Sequence, residues 1–172
     1  MRLEAPQKRP ATMKVRDATV ADLPHILEIE RLGFAQPWSL DSFRRELMLP
    51  FSRILVAIPR APDTDTRHPS SLDLPAGFLC RWLIADECHV LNVAVHPAAR
   101  REGVATALMG ETIDEAKAKK ARFVTLEVRR SNVAARSLYR KLRFEEQRLR
   151  MNYYGPGEDA IVMELPIDGF LG

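Results

Sequence analysis

The stretch Val93-Ala94-Val95-His96-Pro97-Ala98-Ala99-Arg100-Arg101-Glu102-Gly103-Val104-Ala105 constrains this chain more than any other, because strand-type sequence passes in it straight into helix-type sequence. The apolar run reads as a buried strand and Pro97 as a turn. Gly103 then leads into an amphipathic helix with Ala105, Leu108, Met109, Thr112, Ile113 and Ala116 on one face. A helix start presents backbone N–H groups without intrahelical partners, and the helix dipole adds partial positive charge there. Such a start favours the oxygens of an anionic ligand, and Arg100 and Arg101 would add full charges at its rim.

The rest of the chain supplies elements for this unit to pack against. Met13 to Arg16 reads as a first strand and Thr19 to Leu32 as a helix with Leu23, Ile26 and Leu27 inward; Thr19 or Asp22 caps it, and Pro24 is tolerated in its first turn. A second helix follows the link Gly33 to Trp38, with Ser39 as N-cap, an inward stripe of Leu40, Phe43 and Leu47, and Pro50 as its end. Arg53 to Ile58 is strand-like. The four prolines and absent periodicity of Pro59 to Pro75 predict a long connection. Ala76 to Ala85 and Glu87 to Val95 read as paired strands with a tight turn near Asp86, and the Gly103 helix ends around Lys119 and Lys120. Phe123 to Val128 is apolar enough to predict a central strand covered on both faces. A fourth helix, capped by Ser131 or Asn132, carries Ala135, Leu138, Tyr139 and Leu142, and two strands flank Gly155-Pro156-Gly157. A mixed sheet with helices on both faces is the natural packing.

At 172 residues this is one α/β domain, expected over 13–166, with a polar arm at 1–12 and a tail at 167–172. No apolar run reaches the length of a membrane span, and the basic first residues have no apolar core of a secretory signal, so a cytoplasmic protein is expected, with Met1 or Met13 as its start. Cys80 and Cys88 lack C-x-x-C spacing and read as reduced, buried thiols. A net charge of +3 without a basic run interleaved with aromatics gives no argument for nucleic acid. His25, His68, His89 and His96 share no spacing with cysteines or carboxylates, so no metal is expected.

The Gly103 loop has the wrong pattern for two familiar phosphate sites. It has one glycine, mid-chain, where a dinucleotide fold needs G-x-G-x-x-G after the first strand, and it lacks the lysine of a P-loop. Alone, R-x-x-G-x-A is also compatible with a plain helix start. Glu127, inside the apolar strand Val124-Thr125-Leu126-Glu127-Val128, is either a functional carboxylate or an ion-paired rim residue. By periodicity Tyr139 is a core residue whose hydroxyl finds a backbone partner, and Trp38 is a packing anchor or a cleft wall.

The motifs taken together are more specific. R-x-x-G-x-A after V-A-V-H-P, followed by L-E-V-R-R-S-N-V-A-A-R-S-L-Y-R-K-L-R-F, resembles the GNAT superfamily of N-acetyltransferases from Lys14 to Leu165. P-W-S at Pro37 to Ser39, N-V-A-V at Asn92 to Val95, L-E-V-R-x-S-N at Leu126 to Asn132, N-Y-Y at Asn152 to Tyr154 and E-D-A-I-V-M at Glu158 to Met163 are similar to the ribosomal-protein-alanine N-acetyltransferases, the RimI type. The resemblance implies a mostly antiparallel sheet of about seven strands with two central strands splayed apart, and four helices on its two faces. It further implies acetyl-coenzyme A as cosubstrate. The pyrophosphate would lie on Arg101, Glu102, Gly103, Val104, Ala105 and Thr106 beside Arg100, the pantetheine arm along Val93, Ala94 and Val95, and Asn132 would be a further contact. Glu127 would be the base and Tyr139 the acid, with Trp38, Tyr153 and Tyr154 walling the entrance for a protein N-terminal peptide, that of a ribosomal protein. Other readings within reach of the same motifs are another N-terminus or a small amine as acceptor, and a non-catalytic acyl-coenzyme A binding module. The chain departs from the pattern at Arg143, where relatives carry the glycine of a helix-ending L-G-F, and at Ala105, which replaces a frequent glycine.

Overall fold

Thr19 opens the helical half of the molecule. Its N–H donates to the Asp22 carboxylate at 2.7 Å, and the Arg16 guanidinium grips the same carboxylate through two bonds of 2.8 Å, holding the Asp22 carboxyl down at about 2. The computed structural model describes residues 12–60 and 74–167. In chain order these form β1 (Thr12–Asp17), α1 (Leu23–Gly33, entered through a 3-10 turn at Val20–Asp22), α2 (Leu40–Met48), β2 (Ser52–Arg60), β3 (Gly77–Ile84) and β4 (Glu87–Val95). A 3-10 turn at Pro97–Ala99 leads to α3 (Val104–Ala118), followed by β5 (Phe123–Arg129), α4 (Val133–Lys141), β6 (Glu145–Arg150) and β7 (Ala160–Pro166).

The seven strands form one sheet in the order β1-β2-β3-β4-β5-β7-β6. Every neighbouring pair is antiparallel except β4 and β5, whose parallel pairing runs only from Glu87 opposite Phe123 to Val90 opposite Leu126. Beyond Val90 the two central strands part, as the resemblance implied. The cause lies in β4. Cys80 of β3 faces Asn92 while the next residue, Arg81, faces Val90, so Leu91 is an extra residue, a β-bulge. An extra residue bends its strand and reverses the facing of all that follows. Thus Cys88 and Val90 join the core under α3 and α4, whereas Ala94 joins the core under α1 and α2.

Those two cores lie on opposite faces of the sheet. One gathers Val104, Leu108, Met109, Ile113 and Ala116 of α3 with Tyr139 of α4, and the other gathers Leu23, Ile26 and Ile29 of α1 with Phe43 of α2. Leu108 and Phe43 are fully buried, so truncating either to alanine removes roughly 2–5 kcal/mol. Gly77 is required where β3 passes beneath α3, because a β-carbon there would stand 2.6 Å from Val104 Cγ1 and 2.8 Å from the Ala94 carbonyl oxygen. Cys80 and Cys88 are free and buried, and burial pushes their thiols up to about 12 and about 11.

Several sequence expectations change. β5 is central, but it is covered on one face only: Val124, Leu126 and Val128 are buried, while Phe123, Thr125, Glu127 and Arg129 are half-exposed on the other face. Pro59 and Arg60 belong to β2 rather than to the connection after it. A proline is accommodated because β3 pairs only as far as Ala57. Thr12 starts β1, and Ile167 is buried with its N–H on the Arg122 carbonyl. The remaining arm, the 61–73 part of the connection and the end of the tail lie outside the described residues.

Helices α3 and α4 end alike. After α4 the N–H of Arg143 bonds the Arg140 carbonyl and that of Phe144 the Tyr139 carbonyl; after α3, Lys120 and Ala121 bond Lys117 and Ala116 in the same way. This is the Schellman arrangement, and it needs a left-handed residue, here Lys120 (φ 57°) and Arg143 (φ 70°). A side chain at such a φ costs about 1 kcal/mol relative to glycine. Arg143→Gly and Lys120→Gly are therefore each expected to stabilise the protein by about 1 kcal/mol, seen as a higher urea midpoint with an unchanged m-value.

Candidate functional site

The parting of β4 and β5 opens a cavity of about 230 Å³ lined by Asn92 and Val93 of β4, Glu127 and Val128 of β5, Asn132 and Tyr139 at α4, and Glu30, Trp38 and Tyr154. It shares Trp38, Leu91, Glu127 and Tyr154 with a larger groove of about 560 Å³ that runs across the uncovered sheet face past Thr125, Val162, Glu164, Arg148 and Tyr153. Glu127 stands where the two spaces meet.

Each wall follows from a local rule. Glu127 alternates away from Leu126 and Val128, whose side chains go to the α3 core, so the period of the strand aims it at the groove. Arg150 of β6 pairs with its carboxylate. The ion-paired reading of Glu127 holds, and the pair leaves the carboxylate on the wall of both spaces. Tyr139 lies on the inward stripe of α4 with its ring centroid 5.9 Å from that of Phe144. Burial, and then the neighbouring Tyr154, push its phenol up to about 12, so it keeps its proton across the neutral range. Asn132 caps α4 by accepting from the Ala135 N–H at 3.1 Å, while Ser131, the other candidate cap, donates to Glu158 at 2.8 Å.

Three aromatic residues bound the groove. The Trp38 ring lies 5.4 Å from that of Phe43, so it is an anchor and a wall at once. Tyr153 and Tyr154 meet edge to face at 5.0 Å, with Arg150 over the first ring and Arg129 over the second. Their loop is braced by Asn152, whose N–H donates to Asp159 and whose side-chain oxygen accepts from Gly157. The Tyr154 hydroxyl donates to the Glu127 carbonyl at 3.4 Å, and burial raises its phenol.

At the other end of β4, Gly103 (φ 85°) caps α3, and the first N–H with a partner inside the helix is that of Ala107, on the Gly103 carbonyl. The N–H groups of Val104, Ala105 and Thr106 precede it and open on the loop. Arg101 is left-handed (φ 64°), and the first turn of α3 carries no acidic residue. Beyond Val90, β4 has β3 on one side only, so an edge containing Val93, Ala94 and Val95 is unpaired by the sheet. An exposed strand edge beside a helix N-terminus suits a ligand made of an amide-bearing arm and a phosphate group.

Two residues of the site were absent from the sequence reading. Glu30 is 1% exposed, yet it pairs with no cation among the described residues: it accepts from the Trp38 N–H at 2.8 Å and the Asn92 side chain at 3.0 Å, and burial raises its carboxyl. The only sequence signal was its position four residues after Ile26 on the inward stripe of α1. Arg150 carried none, since pairing it with Glu127 needs the β5-β7-β6 order. Among the described residues no cluster of metal-ligating side chains occurs, and no helix is long and apolar enough to cross a membrane.

Comparison with known proteins finds relatives along most of the chain. The chain is 36% identical to the Escherichia coli (strain K12) ribosomal protein bS18-alanine N-acetyltransferase over 152 residues, 85% of this chain and 92% of that protein. The crystal structure of the E. coli ribosomal-protein-S18-alanine N-acetyltransferase superposes with a TM-score of 0.76 at 31% identity, covering 92% of this chain and 96% of that one. Arabidopsis thaliana NAA60 in complex with a bisubstrate analogue shares the fold, with a TM-score of 0.79 at 20% identity over 92% of this chain and 99% of its own. The Acetyltransferase (GNAT) family profile matches residues 23–144, taking in α1, the β4–α3 unit and the Glu127–Tyr139 wall, and the chain belongs to that family of acetyltransferases.

Proposed function

We propose that this enzyme acetylates the α-amine at a protein N-terminus, specifically the N-terminal alanine of a small-subunit ribosomal protein in the cytoplasm. The observation that carries the reading is the meeting of Glu127 and Tyr139 in one cavity between parted strands, in a chain 36% identical to an enzyme named for that substrate. Acetyl-coenzyme A supplies an acetyl group activated as a thioester. The N–H groups at the start of α3 with Arg100 and Arg101 are suited to its pyrophosphate, the Val93 to Val95 edge to its amides, and Asn132 to a further contact.

Glu127 takes the proton that the amine must lose, Tyr139 gives one to the departing sulfur, and a backbone N–H near Val93 or Ala94 faces the carbonyl oxygen. An α-amine, with an ordinary pKa of about 7.7–8.0, needs modest help from a base at neutral pH, whereas lysine at about 10.4 needs much more. Tyr139 is suited to its part because burial keeps the proton on until the sulfur, at an ordinary pKa of about 8.5, calls for it. Trp38, Tyr153 and Tyr154 bound the peptide entrance.

The direct test is to incubate the protein with acetyl-coenzyme A and a panel of N-terminal peptides that includes the ribosomal one, following thiol release and peptide mass. Acetylation of the α-amine is expected; turnover confined to lysine side chains or small amines sinks the proposal. Tyr139→Phe is expected to lower kcat by about 10²-fold or more while coenzyme affinity stays within about 3-fold. Because the Tyr139 phenol is held near 12, the wild-type kcat profile should show no loss from its ionisation between about pH 8 and pH 10. Glu127→Gln should reduce kcat/KM by about 10- to 100-fold near pH 6.5. That deficit should shrink toward about pH 9, where the amine is already neutral; a pH-independent deficit would count against the base.

A further inference from the structure

Asn92 is 8% exposed, and its side-chain oxygen Oδ1 is buried without a hydrogen-bond partner among the described residues. The orientation of that amide is not free. Nδ2 donates to Glu30 Oε2 at 3.0 Å, and the other Glu30 oxygen is taken by the Trp38 N–H at 2.8 Å. As a carboxylate, Glu30 only accepts, so the amide nitrogen must face it and Oδ1 must face away. The bulge at Leu91 turns Asn92 to the α1 side of the sheet, and the residue lines the cavity that also holds Glu127 and Tyr139. A buried carbonyl oxygen left unpaired is unfavourable unless a donor arrives. On the acetyl-transfer reading, the acceptor amine brings such a donor into the space between Glu127 and Tyr139.

We propose that Asn92 is a substrate-positioning residue whose Oδ1 accepts one N–H of the incoming amine, making the site selective for primary amines; this rests on the acetyl-transfer reading above. Glu127 first takes the proton of the ammonium form and passes it to solvent through the groove, leaving a neutral primary amine with two N–H bonds and a lone pair. One N–H goes to Asn92, and the other loses its proton to Glu127. The lone pair forms the N–C bond as the C–S bond breaks, and the sulfur takes its proton from Tyr139. The product amide retains one N–H, still held by Asn92. A secondary amine, such as N-terminal proline or an N-methylated residue, has a single N–H, which Glu127 requires, and leaves Oδ1 unpaired. Glu30 acts through Asn92 by fixing which end of the amide faces the cavity.

The test is a cycle between enzyme and acceptor. An alanine-starting peptide and its N-methylalanine counterpart are compared on wild type, Asn92→Ala and Glu30→Gln, with coenzyme affinity measured by calorimetry and folding by thermal unfolding. In wild type, N-methylation is expected to lower kcat/KM by about 30-fold or more. In Asn92→Ala the unmethylated peptide loses about 10- to 100-fold and the N-methyl penalty falls to within about 3-fold, while coenzyme affinity changes less than about 2-fold. Glu30→Gln, whose new amide can donate to Oδ1 and turn Asn92 over, should collapse the penalty likewise. An equal loss on both peptides means that Asn92 only holds α1 in place and overturns the proposal. A parallel loss of coenzyme affinity, which would put Oδ1 on the pantetheine arm, also overturns it. If wild type acetylates another primary amine and no peptide, the N-terminal reading fails, and the same cycle with that amine and its N-methyl form decides the role of Asn92.

Discussion

A single surplus residue in one strand sets the geometry on which the rest of this molecule depends. Leu91 has no counterpart on β3, and β4 leaves β5 just there. Pairing along the whole of β4 would have closed the centre of the sheet with backbone hydrogen bonds. The parting instead exchanges that pairing for an unpaired strand edge, a cavity between the strands, and a reversal of facing that brings Asn92 and Ala94 to the α1 side. Edge, cavity and inward polar side chain are three results of one insertion, and none would survive its removal alone.

Two buried carboxylates of the α1–α2 layer are held by neutral donors among the described residues. Glu30 and Glu46 are both buried carboxylates, and each is satisfied by neutral donors: the Trp38 N–H and Asn92 for Glu30, Ser52 at 2.6 Å and Trp82 at 2.7 Å for Glu46. Each ties a helix of the α1–α2 layer to a strand or loop at a defined depth. Hydrogen bonds are directional, so this layer is fixed in position as well as attached. Apolar packing of Ile26, Ile29 and Phe43 supplies the adhesion, and the carboxylates supply the register.

How much of this was legible in the sequence depended on whether the signal was local. The order of strands and helices, the cap at Ser39, the candidate caps Ser131 and Asn132, of which the structure uses Asn132, and the helix start at Gly103 are written in runs of a few residues, and they read correctly. The acetyltransferase family was legible because its motifs occur together. What failed was whatever depends on the order of strands in space. Phe123 to Val128 looks covered on both faces, since an apolar run does not say that its second face borders a groove. The Leu91 bulge has no glycine or proline to mark it. Arg150 sits 23 residues from Glu127 and meets it only because β7 lies between their strands. Glu30 falls on the inward stripe of α1 by spacing, but its partner Asn92 lies 62 residues away on β4 and no local run connects them.

Gly77 gives the region a mechanical character. With no side chain there, the first residue of α3 rests directly against β3, while the Ala94 carbonyl of β4 closes the same gap from the side. Three elements that come from separate parts of the chain therefore share one point of contact with no slack. The helix start that would grip a phosphate and the strand edge that would align a thioester are thereby packed as one unit, a ruler on which fixing one end of an extended ligand would also fix the height at which its other end enters the cavity lined by Glu127 and Tyr139.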